Sequence, residues 1–319
     1  MEYLYFGLPM VITLLIGKPF IAYLKKLKYG QEIRKEGPQS HLKKAGTPTM
    51  GGILFTFSFA IMLTICLLTT KEADLVKVLF IGFSSLYYGY LGYTDDIQKV
   101  IKKDNLGLTA KQKFLAQLVF SVLMILFSRF VLKIDTNVHL PFSDKMIDLG
   151  YFYYPIMIIM ITGASNGVNL TDGLDGLCAG VSAIVILGLS FLAKRYGQSE
   201  VQILSLALSG ALIGFLFYNF NPAKVFMGDT GSLFIGGFLA SSFMVMKMPL
   251  HLIVLGIYYV VETLSVIIQV ASFKLTGKRV FLMSPIHHHF EMKGHKEKNI
   301  VLVSYVLVAI VAVLTAIYG

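Results

Sequence analysis

Asn166-Gly167-Val168-Asn169-Leu170-Thr171-Asp172-Gly173-Leu174-Asp175-Gly176 is a polar, glycine-punctuated stretch wedged between two strongly apolar runs, 151–165 and 177–193. Its carboxylates and amides therefore sit at the edge of what reads as a membrane, where ionisable groups are costly and mark function. A second stretch, Asn219-Phe220-Asn221-Pro222-Ala223-Lys224-Val225-Phe226-Met227-Gly228-Asp229-Thr230-Gly231-Ser232, has the same character. If both loops lie on one side of a bilayer, they converge on a single ion or phosphate and the remaining chain is scaffold.

Composition agrees with that placement. Of 319 residues, 55% are hydrophobic and 14% charged, and the mean hydropathy is +0.71, values of an integral membrane protein rather than a soluble enzyme. Cys66 and Cys178 lie in or beside apolar runs and read as packing residues, too few for a disulfide framework or a zinc cluster. The first segment lacks a basic leader region and a small-residue cleavage site, so it is expected to remain as an anchor. The whole of 1–319 reads as one transmembrane domain.

A spanning helix needs about 20 apolar residues, and ten stretches qualify: 2–23, 49–70, 76–94, 112–132, 151–169, 176–195, 201–218, 230–247, 249–275 and 299–318. The ninth is long and carries Glu262, Ser265 and Gln269, so a bent or broken helix is expected there. Alternate loops fall on opposite sides. One set, with its span ends, holds 19 Lys and Arg against 8 for the other, with Lys18 inside the first span. The positive-inside rule puts the richer set in the cytoplasm and both termini outside. The net charge of +10 then reflects topology and attraction to anionic lipid or phosphate. It is not a nucleic-acid stripe, because the charges are scattered over several loops without interleaved aromatics. The outside segment 133–150 reads as a short surface hairpin.

Only Lys and Arg entered that assignment, yet the other polar clusters all fall inside. Asp95 and Asp96 close the third span, at a helix C-terminus where dipole and mutual repulsion both disfavour anions, so a cation or donor must offset them. Neighbouring helix positions diverge by about 100°, so one faces the site and the other supports it. Asn166, Asn169, Asp172 and Asp175 recur every three residues, more polar groups than one cap uses, although Asp172 with Asp175 also fits a capping arrangement for the sixth span. Asp229 likewise fits a cap for the eighth. Carboxylates and amides without cysteine or spaced histidines suit hard Mg²⁺ rather than zinc. His287, His288 and His289 are consecutive, cannot clamp one metal as an i, i+4 pair does, and instead suit donation to phosphate or sugar. Lys44-Ala45-Gly46-Thr47-Pro48-Thr49-Met50-Gly51-Gly52 adds a cation beside a glycine turn but is no Walker loop.

A divalent ion, cations and carboxylates on one membrane face are the parts of phosphoryl transfer, and a lipid substrate gives such a site its reason to be in a membrane. The rival is a cation or nucleotide-sugar transporter, whose ionisable residues belong near the midplane, where this chain has mainly Glu262. The five ordered motifs, at 44–52, 95–96, 169–176, 219–232 and Pro285-Ile286-His287-His288-His289-Phe290-Glu291, together closely resemble the phospho-N-acetylmuramoyl-pentapeptide transferases. These form a branch of the polyprenyl-phosphate N-acetylhexosamine-1-phosphate transferase superfamily, and the likeness covers essentially the whole chain. It implies transfer of phospho-N-acetylmuramoyl-pentapeptide from UDP-N-acetylmuramoyl-pentapeptide to undecaprenyl phosphate in a bacterial membrane, with Mg²⁺, by a ten-span homodimer whose active site faces the cytoplasm. It further implies Asp229 as metal ligand, Asp95 at the lipid phosphate and Asp96 in support. Asn169, Asp172, Asp175, Asn219, Phe226 and Gly228 would hold the nucleotide end, Lys44, Lys99, Lys103 and Lys111 the phosphates. His288 and His289, supported by His287, would meet the sugar phosphate.

Overall fold

The protein is described by a computed structural model covering residues 2–27, 44, 46–69, 74–102, 107–143 and 145–319; Lys103 lies outside them. Apolar runs become helices: α1 (Glu2–Lys26), α2 (Gly52–Thr69), α3 (Leu75–Lys102), α4 (Ala110–Phe130), α5 (Tyr153–Thr171), α6 (Leu177–Arg195), α7 (Ser199–Asn219), α8 (Gly228–Val245), α9 (Pro249–Leu255), α10 (Ile257–Thr276), α11 (Ile286–Met292) and α12 (Glu297–Tyr318). Eight of them, α1 to α4, α6, α7, α10 and α12, are by themselves long and apolar enough to cross a membrane. The chain is thus an all-helical polytopic membrane protein. On α12, Val303, Val306, Ile310, Val313 and Ile317 are exposed, a stripe that suits an apolar surrounding such as lipid, since such a face in water drives association.

The expected spans that fall short are α5, which carries Thr162, Ser165, Asn166 and Asn169, and α8, which carries four glycines and three serines. Every residue from Thr230 to Val245 is buried, with α2, α3 and α5 packed around α8. A helix that meets protein on all sides gains from small residues that let backbones approach, rather than from bulk apolar surface. Gly92 of α3 lies directly on the Asp229 and Thr230 backbone, and Gly52 directly on Gly231; a methyl at either place collides with main chain.

The long ninth stretch is broken, as expected: α9 ends at Leu255, Gly256 leaves helical geometry, and α10 begins at Ile257. The segment after α4 forms a hairpin, β1 (Asn137–His139) antiparallel to β2 (Met146–Asp148), with Val138 opposite Ile147. α4 opens on a capping box in which Thr109 accepts from Gln112 N–H while the Gln112 side chain accepts from Thr109 N–H. That cap fixes where α4 starts, and so where Lys113 points.

Candidate active site

Four chain segments meet at one end of the bundle: the last turns of α3, the first turn of α4, the turn between α5 and α6, and the first turn of α8. Asp95, Asp96 and Asp229 present oxygens within 4.8 Å of one another. The sequence places the first two at a helix C-terminus, but α3 runs on to Lys102. They lie inside that helix and face the N-terminus of α8, whose partial positive charge favours anions.

The two neighbours divide the labour. Asp96 accepts from the main-chain N–H of Asp229 (3.1 Å) and Thr230 (2.9 Å) and from the Thr230 hydroxyl (2.7 Å), while Asp172 accepts from Gly228 N–H at 3.2 Å. So α8 is capped from α3 and from the α5–α6 turn, and Asp229 has no capping duty. Its side chain is 16% exposed, against 4% for Asp95 and 3% for Asp96, which leaves it the most approachable of the three. Gly228 adopts a positive φ of 75°, and a Cβ there would come within 2.7 Å of Asp96 Oδ2.

Two ammonium groups answer the three carboxylates. Lys99 Nζ lies 2.6 Å from Asp95, 3.2 Å from Asp229 and 3.9 Å from Asp96. Lys113 pairs closely with Asp229 and stands 3.9 Å from Asp95. Asp95 also accepts from Leu108 N–H at 2.9 Å, which seats the turn leading into α4. Burial, with Asp229 and Asp96 nearby, pushes the Asp172 carboxyl up to about 7.

Asp172 does not cap α6. It is the C-cap of α5, and α6 starts after Gly176 at positive φ. Asp175 turns the other way, 2.8 Å from Lys44 Nζ, and accepts from Ala223 N–H at 2.9 Å. Glu297 completes that cluster, 2.6 Å from Lys44 and accepting from Asp175 N–H at 2.7 Å. Asn219 accepts from Gly176 N–H (3.1 Å) and donates to Val225 O (2.9 Å), and Asn169 donates to Ser232 at 3.1 Å. The two polar loops thus do converge, partly by binding each other. The glycine turn at 48–52 joins them, through Phe226 N–H to Pro48 O (2.8 Å) and Gly51 N–H to Phe226 O (2.8 Å). Lys111 is exposed on the first turn of α4.

The histidines fan out on α11 as consecutive helix positions must. His287 is buried with Nδ1 3.0 Å from Glu262, and Nε2 packs over Gly173. His288 Nδ1 meets Glu291 at 3.1 Å, which turns its Nε2 toward the same glycine. His289 Nδ1 accepts from Leu282 N–H at 3.1 Å, so its ring anchors the loop before α11. Lys113, Glu297 and Glu262 were not singled out as site residues from the sequence. The signal for Lys113 was its place one helical turn past a capping box; for Glu262 it was a lone acid inside a span.

The donor set is all oxygen, crowded and flanked by cations, so it fits a hard divalent ion with phosphate ligands and does not fit a thiolate or imidazole metal. These features define a membrane-embedded transferase of phosphorylated sugars, and residues 78–247 match the model of glycosyl transferase family 4. Residues 44–55 match signature 1 of phospho-N-acetylmuramoyl-pentapeptide-transferase. Curated proteins of that name are similar along almost the whole length: one from Geobacillus thermodenitrificans is 49% identical over 92% of this chain and 90% of its own. One from Clostridium botulinum (strain Alaska E43 / Type E3) is 47% identical over 95% and 91%, and one from Caldanaerobacter subterraneus 47% over 98% and 96%. The chain belongs to the phospho-N-acetylmuramoyl-pentapeptide-transferase family.

Proposed function

We propose that this chain transfers phospho-N-acetylmuramoyl-pentapeptide from its UDP carrier to undecaprenyl phosphate, releasing UMP, as a step of peptidoglycan synthesis in a bacterial membrane. The observation that carries the reading is the group Asp95, Asp96 and Asp229 under Lys99 and Lys113 at one end of a membrane bundle. The excess of Lys and Arg on that side favours a cytoplasmic active site with both termini outside. The reading takes 1–319 as one domain of ten spans and, from the family likeness, a homodimer, which cross-linking in native membranes tests.

Mg²⁺ is the proposed ion, held by Asp229 with Asp95 and Asp96 beside it; bound there, it neutralises charge on the phosphate oxygens. Asp95 takes the remaining proton of the lipid phosphate. An oxygen of that phosphate bonds to the sugar-linked phosphorus, and the bond from this phosphorus to the UMP oxygen breaks. Lys99 and Lys113 stand where negative charge gathers. Asp96 keeps Asp229 in place through the α8 main chain. Lys44, Lys103, Lys111, Asn169, Asp172, Asp175, Asn219, Phe226 and Gly228 shape the nucleotide side, and His288 and His289, braced by His287, meet the sugar phosphate.

The test is UMP release by purified protein with Mg²⁺ and undecaprenyl phosphate, run in parallel with UDP-N-acetylmuramoyl-pentapeptide and UDP-N-acetylglucosamine. Release only with the muramoyl donor, and only with lipid, is expected; release with the glucosamine donor alone would overturn the assignment. A phospho-sugar trapped on Asp95 or Asp96 without lipid would replace the one-step route by a covalent one.

A further inference from the structure

Glu262 lies two turns into α10, just past the break at Gly256, and its side chain is fully buried. A carboxylate with no water around it requires a proton or a partner. One at hand is His287 on α11, equally buried, whose Nδ1 stands 3.0 Å from Oε1. The approach is off the line of a hydrogen bond, and among the described residues neither ring nitrogen has another; the Tyr258 hydroxyl, which accepts from Ser304, is the second polar group beside the carboxylate. These two buried side chains, Glu262 and His287, therefore join α10 to α11. His287 in turn lies between Glu262 and Gly173, with Nε2 packed so closely on that glycine that a Cβ has no room. The next ring, His288, has its centroid 4.2 Å from that of His287 and reaches the same turn, one residue from Asp172.

We propose that Glu262 is a positioning residue for the transfer. Its carboxylate faces Nδ1 of His287 and favours the tautomer that keeps the proton on that nitrogen, and so seats α11 with His288 directed at the turn 172–175. The chemistry resembles a carboxylate that orients a histidine in a metal site or a hydrolase triad; here the oriented ring acts through its neighbour. The proposal rests on the transferase reading, but its first test does not depend on turnover. With ¹⁵N-histidine labelling and a His287→Gln variant to assign the resonance, His287 in the wild-type protein is expected to carry its proton on Nδ1. A bare Nδ1 overturns the proposal without any change at Glu262.

The second test is kinetic. Glu262→Gln keeps the volume and removes the charge. It is expected to lower kcat about 10- to 100-fold with KM for the nucleotide donor within about twofold, and to abolish the fixed tautomer of His287. Glu262→Asp, which retains the charge on a shorter arm, should recover part of kcat and the tautomer. A Glu262→Gln enzyme with wild-type kcat, or with the His287 spectrum unchanged, overturns the positioning role. If the wild-type protein shows the Nδ1 proton yet releases no UMP from any donor, it is the transferase reading that fails.

Discussion

Asp96→Asn is the substitution that best separates architecture from chemistry at the site. One carboxylate accepts three hydrogen bonds from the first turn of α8. The amide has a single acceptor oxygen, and its NH₂ must point at a main-chain N–H in either orientation. At best the Thr230 pair survives and the Asp229 N–H is left facing a donor; at worst two bonds are lost. Hydrogen bonds to a charged group are worth about 1.5–3 kcal/mol each, so the loss is about 2–4 kcal/mol after relief of repulsion among the three acids. For a chain of this size that is a fall of roughly 5–10 °C in apparent Tm. The sequence supplies its own probe. It has no tryptophan and two cysteines, Cys66 and Cys178, both buried thiols outside any disulfide, so a thiol-reactive dye in detergent reports unfolding. Well below that Tm, a displacement of Asp229 of about 1 Å would cost around 100-fold in UMP release. A variant that melts within about 1 °C of wild type would refute the capping role of Asp96; one that melts early yet turns over normally would refute its hold on Asp229.

Further tests address the neighbours. Gly92→Ala places a methyl against the Asp229 and Thr230 main chain and should cost about 1–3 kcal/mol, with kcat falling further than Tm requires; wild-type kcat would show that the α3–α8 distance does not matter. Lys113→Gln removes a positive charge touching Asp229, so Mn²⁺ should bind about tenfold tighter by calorimetry, and unchanged or weaker binding would rule out competition between ammonium and metal. Asp172 has its carboxyl raised to about 7 in the folded state, above the ordinary value near 4. A raised acid carries no penalty below pH 4 and a full one above pH 7, so wild-type stability falls through that window. Asp172→Asn removes the penalty, and its Tm advantage should grow from pH 5 to pH 8; a constant difference would contradict the raised value.

The membrane class, the hairpin at 137–148, the break near 256 and the convergence of the two loops were all legible, because each rests on local pattern. The capping was not. Asp172 and Asp229 stand before apolar runs like ordinary N-caps, yet the acceptors for α8 are Asp96, 133 residues away from Asp229 in the chain, and Asp172 across the bundle. Spacing cannot show a cap supplied by another helix. Asp172 and Asp175, three apart, would share one face of a continuous helix, but the chain leaves helical geometry at Asp172 and resumes only after Gly176, so Asp175 swings out to Lys44. Lys113 was indistinguishable from Lys111 until the capping box fixed the start of α4. α5 and α8 fall short in hydropathy because the amides, hydroxyls and glycines that serve the site and its close packing dilute their apolar runs.

The burial of α8 bears on the membrane's own energetics. Beneath Asp229 this helix carries no ionisable side chain, and its hydroxyls at Ser241 and Ser242 are sealed among Phe238, Phe243 and their neighbours. A proton or cation arriving at the acidic pocket finds no stepping stone along α8 toward the far side. Along α8, then, charge gathered at the acidic group has no ionisable relay to the far side, and the lipid product of the proposed transfer would leave sideways into the leaflet from which its acceptor came.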